Sequence, residues 1–496
     1  MSSPSGSEGD SGMPDELGAF DLLMHRGEAN PRTRSGIMAC EILDTAPDWE
    51  RFRTLFENAS RKVLRLRQKV VMPTLPTAPA RWVIDPDFNL DFHVRRVRVP
   101  RPGTLRDVLD LAEVMLQSPL DISRPLWTAT LVEGLKGGQA ATLLHLSHAV
   151  TDGVGATAMF AEIYDLERDA RPRPVPPLPV PEDITANDIM FDGLNRLPGA
   201  IVGGLVDAVS GGLGLVGKVA TRPASAVFGA IEYARSGLRM TRRAAVPSPL
   251  LRRRSLSTRT EAIEMNLGDL HRAAHAAEGS INDAYLAGLC GALRRYHAEL
   301  GVQINSLPMA VPVNLRAEAD PAGGNRFAGV NLAAPIGVAD PLARIQKIRK
   351  QMISRREEPA IDLIGAVAPV LSLLPDAVLE AVSGSVIASD VQASNVPIYP
   401  GDTYIAGAKV LRQYGIGPLP GVAMMVVLVS RGGYATITSR YDRAAIAHPD
   451  LWAQCLRQGF DEVLALAGAP RVHVVPASFP DEAEPPKYKN GSVAYS

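Results

Sequence analysis

Between Arg171 and Pro181 the chain carries proline at positions 172, 174, 176, 177, 179 and 181. Each proline fixes φ and removes a backbone donor. Such a density forbids helix or central strand and predicts an extended, polyproline-like connector. The run lies inside a chain of 496 residues. That length exceeds one compact core and favours two domains of roughly 200 residues each. The connector therefore divides the chain. Residues 1–12 read as a disordered leader and 13–170 as a first domain. Residues 171–260 read as a Pro-rich linker with Gly-rich apolar bridging helices, 261–479 as a second domain and 480–496 as a loose tail.

Composition narrows the class of protein. With 46% apolar residues, 21% charged residues and a net charge of -1, the chain matches a globular protein with an ordinary core and not a disordered one. It lacks the basic excess that neutralising nucleic-acid phosphates requires. Cys40, Cys290 and Cys455 are widely separated and odd in number. They form neither a metal-binding spacing nor a disulfide framework, which points to a reducing cytoplasm. No metal and no resident cofactor is expected. Met1–Glu16 is Ser, Gly and acid, without the basic and apolar regions of an export signal. The run Gln413–Ser430 has no charge but is broken by Pro418 and Pro420, so it reads as loop plus strand. Leu197–Thr221 is apolar and Gly-rich, and Arg242-Arg243 and Arg252-Arg253-Arg254 follow it. Two readings fit that pattern. One is a pair of helices packed against the domains. The other is peripheral contact with the inner membrane face, or with a lipid droplet or inclusion.

Both halves mix helix and strand. Leu105, Val108, Leu109, Ala112, Met115 and Leu116 recur at helical spacing. Leu126–Glu133, the Gly134–Gly138 turn and Ala140–Ser147 read as a hairpin, with a helix over Gly155–Tyr164. In the second half, Ser280 with Asp283 predicts a capped helix start, and the helix runs to about Tyr296. Met309–Leu315, Val386–Val391, Tyr404–Tyr414, Val422–Ser430 and Tyr434–Tyr441 read as strands.

The segment Ser147-His148-Ala149-Val150-Thr151-Asp152-Gly153 follows the hairpin. It places a histidine at a strand end, where a side chain can be both fixed and exposed. A neutral imidazole there can take a proton from a substrate hydroxyl. Asp152 is a weaker base at neutral pH, so its role reads as turning the chain and holding His148. Gly153 permits the tight backbone this needs. The string is short enough to arise by chance, and a lone histidine after a strand is more often a hydrogen-bonded structural residue. His145, an odd number of positions back, reads as structural.

Other segments give the string a context. Trp82-Val83-Ile84-Asp85-Pro86-Asp87-Phe88 precedes Asp91-Phe92-His93-Val94. Pro119-Leu120-Asp121 precedes Arg124-Pro125-Leu126-Trp127. Asn282-Asp283, Pro312-Val313-Asn314-Leu315-Arg316, Gly324-Asn325-Arg326 and Ser394-Asn395-Val396-Pro397 follow in order. Together with Ser147–Gly153 they resemble the bacterial wax ester synthase/diacylglycerol acyltransferase family. That family belongs with chloramphenicol acetyltransferase and peptide-synthetase condensation domains, and the resemblance spans about Gly18 to Gly468.

The resemblance implies an α/β protein of two chloramphenicol-acetyltransferase-like domains, each a mixed sheet with flanking helices, and a tunnel at their interface. It implies transfer of a long-chain acyl group from acyl-CoA, as co-substrate, to diacylglycerol or a fatty alcohol, with His148 as general base. Asn282, Ser394 and Asn395 are the candidates near the oxyanion. Their plainer readings are a helix cap for Asn282 and a turn for Ser394-Asn395. Arg124 and Arg316 read as structural cations, and Trp82, Phe88, Leu126 and Trp127 as packing residues.

Two departures stand out. The family motif opens with two histidines, and here Ser147 replaces the first. Ile398 stands where the family has glycine. These departures keep open an acyltransferase with a different hydroxyl acceptor, or a lipid-binding paralogue with reduced catalysis.

Overall fold

The computed structural model describes residues 15–75, 77–150, 159–171, 173–196, 244–314, 327–356, 389–399, 401–468 and 473–474. The N-terminal half contains α1 (Ala19–Gly27), β1 (Gly36–Leu43), α2 (Trp49–Lys62), β2 (Gln68–Val71), β3 (Arg81–Ile84), α3 (Leu90–His93), β4 (Val94–Arg98), α4 (Leu105–Gln117), β5 (Trp127–Glu133), β6 (Ala140–Ser147) and α5 (Ala186–Arg196). The C-terminal half contains β7 (Thr258–Asn266), α6 (Leu267–Ala276), α7 (Ile281–Glu299), β8 (Leu307–Asn314), β9 (Phe327–Ala334), α8 (Pro341–Arg356) and β10 (Val391–Pro397). It continues with β11 (Tyr404–Ile405), β12 (Ala408–Ile416), β13 (Met424–Arg431), β14 (Tyr434–Asp442), α9 (Pro449–Leu464) and β15 (His473–Val474).

Two mixed sheets organise these elements. The first runs β11-β12-β1-β6-β5-β4 and the second β15-β7-β14-β13-β10-β8-β9, with β2 and β3 forming a separate pair. In the first sheet β4 and β5 run parallel. In the second, β10 runs parallel to both β13 and β8. Strand β12 belongs by position to the C-terminal half, yet it pairs with β1 from Met38↔Ile416 to Leu43↔Val410. The first sheet is therefore completed by the other half of the chain.

Local chemistry explains the elements. Helix α4 begins with a capping box in which Thr104 and Asp107 satisfy each other's backbone amides, which removes orphan donors at the helix start. Its stripe of Leu105, Val108, Leu109, Ala112 and Leu116 is buried against the first sheet, with Met115 partly buried beside it. On the sheet's opposite face, Trp127 is fully buried beside Phe56 and His93. Trp82 and Phe88 pack beneath Arg65 and Arg67, each guanidinium 4.2 Å from a ring centroid. Arg124 pairs with Asp121 and lies over Phe92.

In the second half, Ser280 and Asp283 form the expected capping box at the start of α7. Helices α7 and α9 then approach closely: a Cβ added to Gly459 would lie 2.4 Å from the Ala292 amide nitrogen and 2.5 Å from the Gly288 oxygen. Backbone meets backbone there, and only glycine fits. Cys40, Cys290 and Cys455 are free and buried.

Several expectations are corrected. Of the strand expected at Val386–Val391, residues 386–388 lie outside the described residues; β10 runs Val391–Pro397 and carries Ser394-Asn395 within it, because pairing with β13 satisfies that backbone. The single strand expected at Tyr404–Tyr414 is two strands folded back at Ala406 and Gly407, both at positive φ. The Gln413–Ser430 run divides into the end of β12, a loop and β13. The leader 1–12, the bridging segment Leu197–Thr221, the tail 480–496 and Arg316 lie outside the described residues. Among the described residues no helix is long and apolar enough to cross a membrane.

Buried histidines shape the response to acid. Burial lowers His25 and His93 to about 4 and His145 to about 3. Their folded values lie below the unfolded value, so the unfolded chain binds more protons as pH falls below about 6.5. Stability present above that pH is then lost. Glu28 and Glu41, raised by burial, act in the opposite sense. We predict that the denaturation midpoint in urea falls steadily between about pH 6.5 and 4.5; an unchanged midpoint would show that the carboxylates cancel the histidines. We also predict that Gly459→Ala lowers stability by about 1–3 kcal/mol through overpacking, read by urea denaturation.

Candidate active site

The site forms at one end of the first sheet. Strand β6 pairs with β1 down to Gly36↔Ser147, and the chain then turns. The Val150 amide donates to the Ser147 carbonyl at 3.0 Å, and the His148 amide donates to the Ser35 carbonyl at 3.3 Å. His148 is thus held by backbone at the strand terminus. The residue is half-buried, and desolvation of its ring lowers its pKa. The imidazole is therefore neutral at pH 7, the form a proton acceptor needs.

Ser147 is fully buried, and its hydroxyl donates to Glu28 Oε1 at 2.7 Å. Ser35 donates to the same oxygen at 2.7 Å. Glu28 is fully buried, and Oε2 has no hydrogen-bond partner among the described residues. Burial raises the pKa of this carboxyl, opposed by the two hydroxyls and by the charge of Arg34. Sequence reading missed Glu28. A single acidic residue after a short helix has no spacing signature, and only the fold brings it beneath Ser147. His145, on the same side of β6 as Ser147 by strand alternation, is buried and kept neutral by desolvation, with Arg440, Arg34 and Arg95 reinforcing the effect. Asp152 and Gly153 lie outside the described residues, as do residues 151–158 generally. The helix expected over Gly155–Tyr164 is seen from Met159 to Ile163.

The second sheet supplies the facing wall. Strand register sets Ser394 beside Val427 and Asn395 beside Leu428. Leu428, Val391 and Ala393 belong to the core beneath α7. Met425, Val427 and Val429 form a separate cluster, joined by Ile398 and Leu419. Since alternate residues face opposite sides, Ser394 shares the outer face with Val427, while Asn395 points to the helical side. The two cannot serve one site from the same face. Asn282 lies half-buried in the first turn of α7. Asn282 and Asp283 do both lie in the first turn, and of the two it is Asp283 that makes the cap with Ser280. The turn reading of Ser394-Asn395 fails, because both are ladder residues of β10. Ile398 is absent from the non-glycine residues at positive φ, so the position accepts a β-branched side chain.

The two sheets meet at this end. A Cβ on Gly417 would lie 2.7 Å from Met425 Cγ, and one on Gly415 would lie 3.1 Å from Val427 Cγ1. The face bearing Ser394 therefore turns toward β12. The Met38↔Ile416 and Gly36↔Ser147 pairs show that this crossing lies at the His148 end of the first sheet. Among the described residues, no three His, Cys, Asp or Glu side chains converge as metal ligands.

Comparison with known proteins identifies the family and the fold. The wax ester synthase/diacylglycerol acyltransferase catalytic domain matches residues 10–285, and the corresponding C-terminal domain matches residues 323–464. A Mycobacterium tuberculosis protein, provisionally named a diacylglycerol O-acyltransferase, is 72% identical over 467 residues. The match covers 94% of this chain and 95% of the relative. A second from the same organism, with the same provisional name, is 30% identical and covers 79% of this chain and 86% of its own. The wax ester synthase/diacylglycerol acyltransferase from Marinobacter aquaeolei VT8 superposes with a TM-score of 0.61 at 19% identity, covering 92% of this chain and all of that one. The starter condensation domain of rhizomide synthetase, solved with C8-CoA, gives a TM-score of 0.56 at 11% identity, covering 93% and 96%. The fold is thus that of the two-domain enzymes just compared, and the chain belongs to the wax ester synthase/diacylglycerol acyltransferase family of acyltransferases.

Proposed function

We propose that this acyltransferase moves a long-chain acyl group from acyl-CoA to the hydroxyl of diacylglycerol or a fatty alcohol, with His148 as general base. The observation that carries the reading is a neutral imidazole fixed at the end of β6, beside the seam between the two sheets. His148 takes the hydroxyl proton as the oxygen attacks the thioester carbonyl. A tetrahedral intermediate forms, the carbon–sulfur bond breaks, and the imidazolium returns its proton to the departing thiolate. Atoms and charge balance without a covalent enzyme intermediate and without a bound cofactor. General base catalysis supplies about 10²–10⁴-fold. Alignment of the two substrates in a tunnel between the halves, and donors near the oxyanion, supply the rest.

Among those donors, Ser394 is favoured, because its strand face turns toward the first half. Asn282 and Asn395 sit on the helical side and fit a supporting role better. Asp152 and Gly153 would shape the turn after His148. Glu28 would act as a positioning residue: its carboxylate holds Ser147 and Ser35, and these flank the two backbone segments that anchor His148. Ser147 does here with one hydroxyl what a histidine would do with a ring nitrogen, namely bond a neighbour and brace the base. A water-insoluble acceptor also fits peripheral membrane or lipid-droplet contact through residues 197–221; deleting 197–245 should then shift the protein out of the membrane fraction.

Four measurements test this reading. Release of coenzyme A from a long-chain acyl-CoA in the presence of diacylglycerol or a fatty alcohol should fall about 10²–10⁴-fold in His148→Ala; equal rates would remove His148 from the mechanism. In the wild type, kcat/KM should be flat near pH 7 and decline with acid only below about pH 6.5, because burial lowers the imidazole pKa. A decline already under way at pH 8 would contradict a base that is neutral at pH 7. Ser147→Ala should cost about 1–3 kcal/mol in urea denaturation, since one donor to a buried carboxylate is lost. Ser147→His separates the remaining alternatives: a large gain in rate favours a catalytically reduced paralogue, and no gain or a loss favours an enzyme specialised around the hydroxyl.

A further inference from the structure

Residues 28–35 join α1 to β1, and one side chain in this turn reaches the ends of two helices. Glu28 is the C-cap residue of α1, and Arg34 Nε donates to its backbone carbonyl at 3.2 Å. Arg34 Nη1 donates to the carbonyl of Gln117, the last residue of α4, at 2.7 Å. Carbonyls in the last turn of a helix lack partners within the helix, and the macrodipole makes a cation favourable there. The last turn of α4 has no basic residue of its own, so Arg34 supplies that charge from outside. The planar fork of a guanidinium holds two carbonyls in fixed directions, which an ammonium on a flexible stem does not.

The same turn supports His148. The Arg34 amide donates to the Asn30 carbonyl at 3.0 Å, and the next residue, Ser35, offers its own carbonyl to the His148 amide at 3.3 Å. The Ser35 and Ser147 hydroxyls share Glu28 Oε1. That carboxyl is fully buried and stands at the C-terminal end of α1; burial and the helix dipole both disfavour its charge. Arg34, from the same turn, is the cation that favours it. The neighbouring titratable groups do not take over that role. His25 on α1 and His145 on β6 are kept neutral by burial, and Arg440 on β14 acts on Arg34 and on His145. The His148 ring is governed by its own desolvation and not by Arg34.

We propose that Arg34 is a positioning residue for acyl transfer: it ties the turn that anchors His148 to the end of α4 and keeps Glu28 in the carboxylate form that both serines bond. The inference rests on His148 as general base and adds a residue that acts through Ser35 and Glu28. Its two effects are separable. The fork fixes the turn, and the charge sets the protonation state of Glu28. A carboxylate oxygen accepts both hydroxyls. A protonated carboxyl accepts them more weakly, which slackens Ser35 and, through the Ser35 carbonyl, the His148 backbone. Misplacing a reacting group by 1 Å costs about 10²-fold, so slack in this turn is read in kcat.

The experiment measures kcat and KM against pH for the full-length wild type, Arg34→Lys, Arg34→Met, Glu28→Gln and the Glu28→Gln/Arg34→Met double variant. Coenzyme A release from palmitoyl-CoA is followed with hexadecanol or dioleoylglycerol as acceptor. Circular dichroism checks folding, and Arg34→Lys decides alone if Arg34→Met does not fold. Arg34→Lys keeps the charge and loses the fork, so kcat falls, KM is unchanged and the acid limb of the profile stays in place. Arg34→Met loses both: kcat falls about ten- to hundredfold, and the acid limb moves to higher pH, because a carboxyl without its cation binds a proton sooner. In the Glu28→Gln background the same change moves no limb and costs less than it does alone. A wild-type kcat in Arg34→Lys, a loss confined to KM, an unmoved limb in Arg34→Met, or fully additive losses in the double variant overturns the proposal. Wild-type rates in His148→Ala remove the general-base reading itself, whereas a sensitive His148 beside an insensitive Arg34 removes this inference alone.

Discussion

Strand β12 is the connection on which the rest of the molecule depends. It comes from the C-terminal half in sequence but forms a full antiparallel ladder with β1. Along the same stretch its carbonyls are bonded by the other sheet: the Thr436 hydroxyl donates to the Gln413 carbonyl at 2.5 Å, the Thr438 hydroxyl to the Gly415 carbonyl, and the Arg440 guanidinium to the Gly417 carbonyl at 3.3 Å. One strand is thereby satisfied in two directions. Such a strand cannot move with one half alone without exposing buried backbone groups, each expensive to leave unpaired.

The same seam is reinforced by side chains that come from both halves. Glu113 on α4 accepts hydrogen bonds from Thr258 and Thr260 and is met by the Arg440 guanidinium at 3.3 Å. Arg106, two turns earlier on the same face of α4, donates to the Thr260 carbonyl at 2.7 Å and approaches Glu261 at 3.6 Å. These groups are buried, so breaking one partner would leave an uncompensated charge, and the network gives the interface a defined register. Its consequence for chemistry is positional. It sets the outer face of the second sheet, with Ser394 and the Met425–Val427–Val429 cluster, over the end of the first sheet that carries Ser147 and His148.

Much of this was legible in the residues. The α4 stripe, the β5–β6 hairpin ending at Ser147, and the Ser280–Asp283 cap rest on local rules: periodicity, turn chemistry and hydrogen bonds within four residues. The ordered motifs from Trp82 to Pro397 pointed to the family through identity rather than physics. The errors lie where pairing is not local. The β10 strand was not extended through Ser394–Pro397 because Ser-Asn-Val-Pro has turn-forming composition, and only the β13 ladder makes it strand. The reversal at Ala406-Gly407 was missed because an alanine at positive φ announces nothing in a sequence. Ser394 and Asn395, adjacent in the chain, are parted by strand alternation onto opposite faces.

The sequence by itself determined that the chain would mix helices and strands in both halves and place His148 where a strand ends. These follow from constraints the residues carry wherever they sit, chiefly a 3.6 or 2.0 period. Only the tertiary structure decided that Glu28 would lie under Ser147, that β12 would complete a sheet begun hundreds of residues earlier, and that Arg34 would join the ends of α1 and α4. Burial and long-range register are properties of the assembled chain. The partial desolvation that lowers the His148 pKa exists only once distant segments have packed beside its ring.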